Sequence, residues 1–189
     1  MHFYLIIILS YILGSIPFGK IVGYFRGLNI QKQGSGNIGF ANSLRVMGWK
    51  PALIVLLGDI LKGYIPVFYA VDKFSLTQTL VIGLFAVAGH IFSPWLKFRG
   101  GKGVATMVGV SLALNPLIAL IAMTTWGTIF LLDKTASISS LVIALLMPIL
   151  SLFLEPKLFY FYLFLLVIIL LTHRTNILNL IKGKEEKVF

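Results

Sequence analysis

The chain has 189 residues, 58% of them hydrophobic and 12% charged, with a mean hydropathy of +0.97. A water-soluble domain carries about a quarter charged residues, and one small globule has no interior large enough to hide this much apolar surface. A disordered chain and a soluble enzyme are therefore excluded, and the formal charge of +10 points to basic cytoplasmic loops and an anionic ligand rather than to nucleic acid.

The first apolar run covers about residues 3–24 and is interrupted only by Ser10, Ser15, Pro17 and Lys20. It has no basic leader and no small-residue cleavage site, so it reads as a retained helix. Further runs follow at about 49–71, 78–96, 104–114, 116–132, 136–154 and 158–172, most of them near the ~20 residues a bilayer helix needs. The stretch 104–132 admits two readings. As one helix it would be about 43 Å long at ~1.5 Å per residue, against a hydrocarbon core of about 30 Å, and Asn115-Pro116 in its middle disfavours continuous helix.

Charge decides between them. With seven segments and the amino terminus outside, twelve of the sixteen Lys and Arg fall inside; Lys73 and Lys157 lie outside, and Lys20 and Lys62 within spans. Six segments give a nearly even split, so the positive-inside rule favours seven. The chain is expected to be an all-α integral membrane protein of about seven transmembrane helices, one short or broken, forming a single polytopic domain over 1–189. A short helix opening beside a glycine run either lines an anion-binding cavity or is merely short and covered by its neighbours.

Three polar stretches then share the cytoplasmic face. The first, Gly34-Ser35-Gly36-Asn37-Ile38-Gly39-Phe40-Ala41-Asn42-Ser43-Leu44-Arg45, begins with a G-x-G-x-x-G pattern. No strand precedes it, so a dinucleotide fold is not indicated. Its glycine N–H groups, with Ser35 and Asn37, are expected to cradle an oxyanion or phosphate, and Arg45 to pair with a phosphate bidentately. An ordinary glycine turn with a membrane-flanking Arg is the alternative.

The second stretch is Gly89-His90 followed by Lys97-Phe98-Arg99-Gly100-Gly101-Lys102-Gly103. Gly103 stands where a P-loop needs Ser or Thr, so that reading fails. Three cations and three glycines within seven residues, opening a helix, still describe a phosphate site, whereas a positive-inside anchor explains only the cations. The third stretch, His173-Arg174-Thr175-Asn176, places His173 and Asn176 on one helical face, with Glu185 downstream. Asp59 and Lys62, one turn apart inside the second span, are either functional or a pair that neutralises itself; the spacing favours the second reading.

The absence of cysteine removes disulfides, iron–sulfur clusters and thiolate zinc sites. The carboxylates Asp59, Asp72, Asp133, Glu155, Glu185 and Glu186 are scattered, so no two-metal centre is expected.

Taken in order, Gly14-Ser15-Ile16-Pro17-Phe18-Gly19, the first stretch, Asp59 with Lys62-Gly63, the Gly89-to-Thr106 block and the His173-to-Ile177 segment resemble the bacterial membrane acyl-phosphate:glycerol-3-phosphate acyltransferases along the whole chain. Phe40-Ala41 replaces a usual Ala-Thr, Pro94 lies one residue late, and Arg99 replaces a common Lys. The resemblance implies seven spans in the bacterial cytoplasmic (inner) membrane, with the loops inside. It implies transfer of a fatty acyl group from acyl-phosphate to the 1-position of glycerol 3-phosphate, giving lysophosphatidic acid and phosphate. It also implies a functional link to an enzyme that forms acyl-phosphate, contact with membrane lipid, and no cofactor, metal or nucleic acid.

The site it implies has Ser35, Arg45, His90, Lys102 and His173 as catalytic groups. Substrate would be bound by Gly34, Ser35, Gly36, Asn37, Arg45, Lys97, Gly100, Gly101, Lys102, Gly103, His173 and Asn176. An acyl-phosphate is a mixed anhydride with a good leaving group, so positioning and charge stabilisation suffice, and direct attack by the glycerol hydroxyl without an acyl-enzyme is expected. The general base is open between His90, His173 and the acceptor's own phosphate. A carrier for phosphate-bearing lipids is the competing class, but no inverted repeat supports it. Thioester-dependent acyltransferases carry His-x4-Asp, which His2, His90 and His173 all lack.

Overall fold

In the computed structural model, which describes residues 2–189, the chain is helical and contains no strand among the described residues. The helices are α1 (Phe3–Gly14), α2 (Phe18–Phe25), α3 (Phe40–Met47), α4 (Trp49–Val71), α5 (Leu76–Ile91), α6 (Val104–Leu114), α7 (Pro116–Asp133), α8 (Ala136–Leu154), α9 (Phe159–Thr172) and α10 (Arg174–Ile181). In hydrocarbon every backbone group must be satisfied within the protein, which leaves helices as the solution for these apolar runs. Their outward faces are apolar, as lipid requires: Leu57, Phe68 and Phe153 are 58%, 59% and 81% exposed.

Five segments are long and apolar enough to cross a bilayer, counting α1 and α2 together as Phe3–Phe25. A sixth is α9 with α10, bent by 65° between them, and the eleven-residue α6 is a shorter apolar helix. The protein is an integral, multi-pass membrane protein. Packing divides it into two compact units, Met1–Leu114 and Asn115–Phe189.

The boundaries follow local chemistry. Ser75 and Gln78 form a capping box that starts α5. Asn115 caps α7 through a 3.1 Å bond from Ile118 N–H to its side-chain oxygen, with Pro116 at the first helical position. The first apolar run is not one helix. Pro17 lacks an N–H, and the chain breaks between Gly14 and Phe18. The carbonyls this releases find partners elsewhere: Ser93 Oγ donates to Ser15 O at 2.6 Å, and Lys62 Nζ to Ile16 O at 2.8 Å.

In the first unit, small residues let helices meet backbone to backbone. A Cβ on Gly63 would overlap Thr106 O, and one on Gly109 would overlap Ile60 O, which locks α4 to α6. Gly14 against Ala86 O and Gly89 against Tyr11 O do the same for α1 and α5. In the second unit the chain end folds back. Val188 N–H donates to Lys134 O at 2.9 Å, and the Phe189 ring meets Phe130 edge-on at 5.7 Å.

Candidate active site

The first stretch is organised by a residue outside the expected set. Asn42, in the first turns of α3, is 1% exposed. Its Oδ1 accepts the Ser35 N–H at 2.9 Å, and its Nδ2 donates to Ile30 O, Gln33 O and Asn37 O at 3.2, 3.1 and 2.8 Å. Gly34 has a φ of +56° and lies against Asn42 Oδ1, where a Cβ would collide, so both the conformation and the space demand glycine. The sequence offered no advance signal, because residues 34–45 read as a polar loop; only with α3 in place is Asn42 a residue that fits a helix poorly unless its side chain is engaged.

The donors expected to cradle an anion are partly engaged within the loop. Gly36 N–H donates to Gln33 O at 3.0 Å and Gly39 N–H to Asn37 Oδ1 at 2.8 Å. The Asn37 side chain therefore shapes the turn. Ser35 is exposed and Arg45, one turn from Asn42 on α3, is half-buried.

The second stretch leaves α5 through a turn in which Lys97 and Phe98 both adopt positive φ, 54° and 60°. Two consecutive non-glycine residues there are strained, and the turn is held by Phe98 N–H to Ser93 O at 2.9 Å and by Trp95 Nε1 to Ser15 Oγ at 2.9 Å. Gly100 N–H then donates to Ile91 O at 2.9 Å and Gly101 N–H to His90 O at 3.1 Å. These two glycines close the carboxyl end of α5. Lys102 and Gly103 lead directly into the amino terminus of α6, where Lys102 is half-buried, and Gly103 has a φ of +90°. Lys97 is exposed.

His90 is 3% exposed. Its Nδ1 lies 3.5 Å from Asp59 Oδ1, the atom that also pairs with Lys62 Nζ at 2.7 Å. The edge bearing Nε2 is packed so closely on Gly101 that a Cβ there would overlap it. The structure thus joins His90 to a pair that the sequence spacing favoured as self-contained. Nothing local in the sequence announced this, because the partners lie on different helices.

The third stretch lies in the second unit. His173 is 2% exposed and caps the end of α9; its Nδ1 is 2.9 Å from Ile169 O, so it carries the proton there and Nε2 is the acceptor nitrogen of the neutral ring. Asn176 Nδ2 donates to Glu185 Oε1 at 2.6 Å, and Ser137 Oγ donates to the same oxygen at 2.7 Å. Among the described residues no group of three or more His, Cys, Asp or Glu is arranged to hold a metal ion.

Residues 4–183 match the family model described as glycerol-3-phosphate acyltransferase. The glycerol-3-phosphate acyltransferase of Wolbachia pipientis subsp. Culex pipiens is 41% identical over 190 residues, which span 99% of each chain. That of Fusobacterium nucleatum is 39% identical over 192 residues, covering 99% of this chain and 98% of the relative. The crystal structure of PlsY, an integral membrane glycerol 3-phosphate acyltransferase, in its glycerol 3-phosphate form superimposes with a TM-score of 0.93 at 32% identity, covering 98% of this chain and 94% of that one. The lysophosphatidic acid form of PlsY gives 0.91 at the same identity. Sequence and architecture agree over the whole length: this chain belongs to the glycerol-3-phosphate acyltransferase family and is an integral membrane acyltransferase.

Proposed function

We propose that the protein transfers a fatty acyl group from acyl-phosphate to the 1-hydroxyl of glycerol 3-phosphate. The full-length match to relatives named for glycerol 3-phosphate, one of them solved in forms named for that substrate and for lysophosphatidic acid, carries the acceptor. The donor rests on the motif resemblance and on chemistry. The hydroxyl oxygen attacks the acyl carbonyl carbon, the bond from that carbon to the phosphate oxygen breaks, phosphate leaves, and the hydroxyl proton passes to a base. A leaving group this good needs fixed charge and orientation more than a nucleophilic side chain.

Arg45, Lys102 and the Ser35 hydroxyl hold the phosphates and the developing oxyanion, aided by the N–H groups from Gly103 into the first turn of α6. The donors of Gly36, Gly39, Gly100 and Gly101 shape their loops instead, since each is bonded within the chain. His90 is poorly placed to take the proton, with Nδ1 toward Asp59 and Nε2 against Gly101. The acceptor's own phosphate is the base proposed within the first unit. Lys97 is an exposed cation at the entrance of the second loop, and Asn176 supports the third stretch through Glu185. The enzyme works in the bacterial cytoplasmic membrane with its loops inside, the amino terminus outside, and it draws acyl-phosphate from an enzyme that forms it.

A donor comparison on purified, detergent-solubilised protein tests this reading. Glycerol 3-phosphate is offered with palmitoyl-phosphate, palmitoyl-CoA or palmitoyl-carrier protein, each with and without EDTA. Lysophosphatidate formed from palmitoyl-phosphate alone and insensitive to EDTA is expected. Activity with the thioesters would break the donor assignment and leave acyl transfer standing.

A further inference from the structure

Asp59 and Lys62 lie midway along α4, both 1% exposed, in a segment that spans the membrane. A pair that served only to neutralise itself would sit among apolar neighbours indifferent to its charge. This one does not. Lys62 Nζ reaches past Asp59 to donate to Ile16 O at 2.8 Å, at the break between α1 and α2. Asp59 Oδ1 faces His90 Nδ1 at 3.5 Å. One residue beyond Lys62, Gly63 packs under Thr106 O of α6. The pair therefore touches two of the elements that frame the second loop, the helix break in front and α5 behind, and its neighbour Gly63 packs on the third, α6.

The other edge of the His90 ring completes the connection. Gly101 sits on Nε2 without room for a methyl group, and its N–H donates to the His90 carbonyl at 3.1 Å. The imidazole is a wedge between a carboxylate and a backbone Cα, so any rotation of the ring moves Gly101. Lys102 follows Gly101 directly, and Gly103 follows Lys102.

We infer that Asp59 and Lys62 are positioning residues for the phosphate-binding loop Gly100–Gly103, acting through His90. Lys62 fixes the carboxylate, the carboxylate orients the imidazole, and the imidazole sets the place of Gly101 and with it the Lys102 ammonium. The inference rests on the acyl-transfer reading for the identity of the ligand, and on geometry alone for the mechanical link. It also accounts for two ions retained inside a membrane span, where an apolar pair would be cheaper to insert.

The test replaces both ions together by Asp59→Leu/Lys62→Met. Removing one partner strands a buried charge, whereas an apolar pair of similar size is generally tolerated. A lost folding fraction lowers apparent kcat and leaves both KM values unchanged; a displaced loop raises the KM of the phosphate-bearing substrate that it holds. The folded double variant is expected to raise that KM about tenfold, and Gly101→Ala to raise the KM of the same substrate. Both KM values within about twofold of wild type in the double variant would overturn the inference.

A second measurement needs no turnover. In wild type and the Asp59→Leu/Lys62→Met variant, amide exchange at Gly100 and Gly101 is followed in detergent, with exchange about fivefold faster expected in the variant. Unchanged exchange at both glycines overturns the mechanical link. Wild-type protein that makes no lysophosphatidate from acyl-phosphate would count against the reaction assignment, and the exchange data would still decide the positioning role.

Discussion

The side-chain oxygen of Asn42 accepts the backbone N–H of Ser35 at 2.9 Å, and through that bond a helix residue dictates the shape of the loop seven positions before it. The same side chain gathers the carbonyls of Ile30, Gln33 and Asn37. A buried amide bonded at both its oxygen and its nitrogen holds a unique loop conformation, and removing it leaves its partners unsatisfied. Ser35 is thereby presented on a loop whose turns are closed from inside.

Asn42→Ala should therefore unfix the first loop. Loss of the amide leaves one N–H and three carbonyls to find other partners, at a cost of about 1–3 kcal/mol. Thermal unfolding in detergent is expected to shift downward, and kcat/KM to fall at least about tenfold. A variant with wild-type melting and wild-type kinetics would show that the loop is held by something else.

Lys102→Ala removes the cation that the second loop delivers to the amino terminus of α6. The expected loss in kcat/KM is at least tenfold, on the order of 1.4 kcal/mol or more. An unchanged rate in well-folded protein would take Lys102 out of the site.

Glycine substitutions should divide sharply by what a Cβ would meet. Gly63 and Gly109 face backbone carbonyls of Thr106 and Ile60, which cannot yield without moving a helix, so Gly63→Ala and Gly109→Ala are expected to cost about 1–3 kcal/mol. Gly127 on α7 has no neighbour within 4 Å of where a Cβ would stand, and Gly127→Ala should gain helix propensity, about 0.5–1 kcal/mol. Comparative melting of the three variants checks both signs together.

Glu185→Ala should loosen the third stretch, because Asn176 and Ser137 both donate to one carboxylate oxygen. Hydrogen bonds to a charged group contribute about 1.5–3 kcal/mol. Glu185→Gln keeps an accepting oxygen and is expected to lose roughly half as much. Equal losses in the two variants would show that the charge, rather than acceptance, holds Asn176.

Several of these features were legible in the sequence because their causes are local. A cap residue before a proline marks the start of α7 at Asn115-Pro116, and a glycine run before an apolar segment marks the loop that opens α6. Pro17 interrupted the first apolar run, yet the break it makes became meaningful only once Ser93 and Lys62 were seen to fill the released carbonyls. The Asp59–His90 contact was out of reach for the same reason: the two residues are 31 positions apart on separate helices, and periodicity carries no information about which faces meet. The glycine N–H groups show the converse limit. Composition identified them as available donors, but their bonds to Gln33, Asn37, Ile91 and His90 depend on how each loop closes.

In the proposed mechanism both phosphate-bearing substrates occupy the enzyme together and the acyl group passes directly between them. Initial rates measured over a matrix of palmitoyl-phosphate and glycerol 3-phosphate concentrations test it most directly, with mass spectrometry of protein quenched during turnover. Direct transfer predicts intersecting double-reciprocal lines and no acylated protein. Parallel lines, with an acyl group recovered on Ser35, would contradict it and make Ser35 a nucleophile.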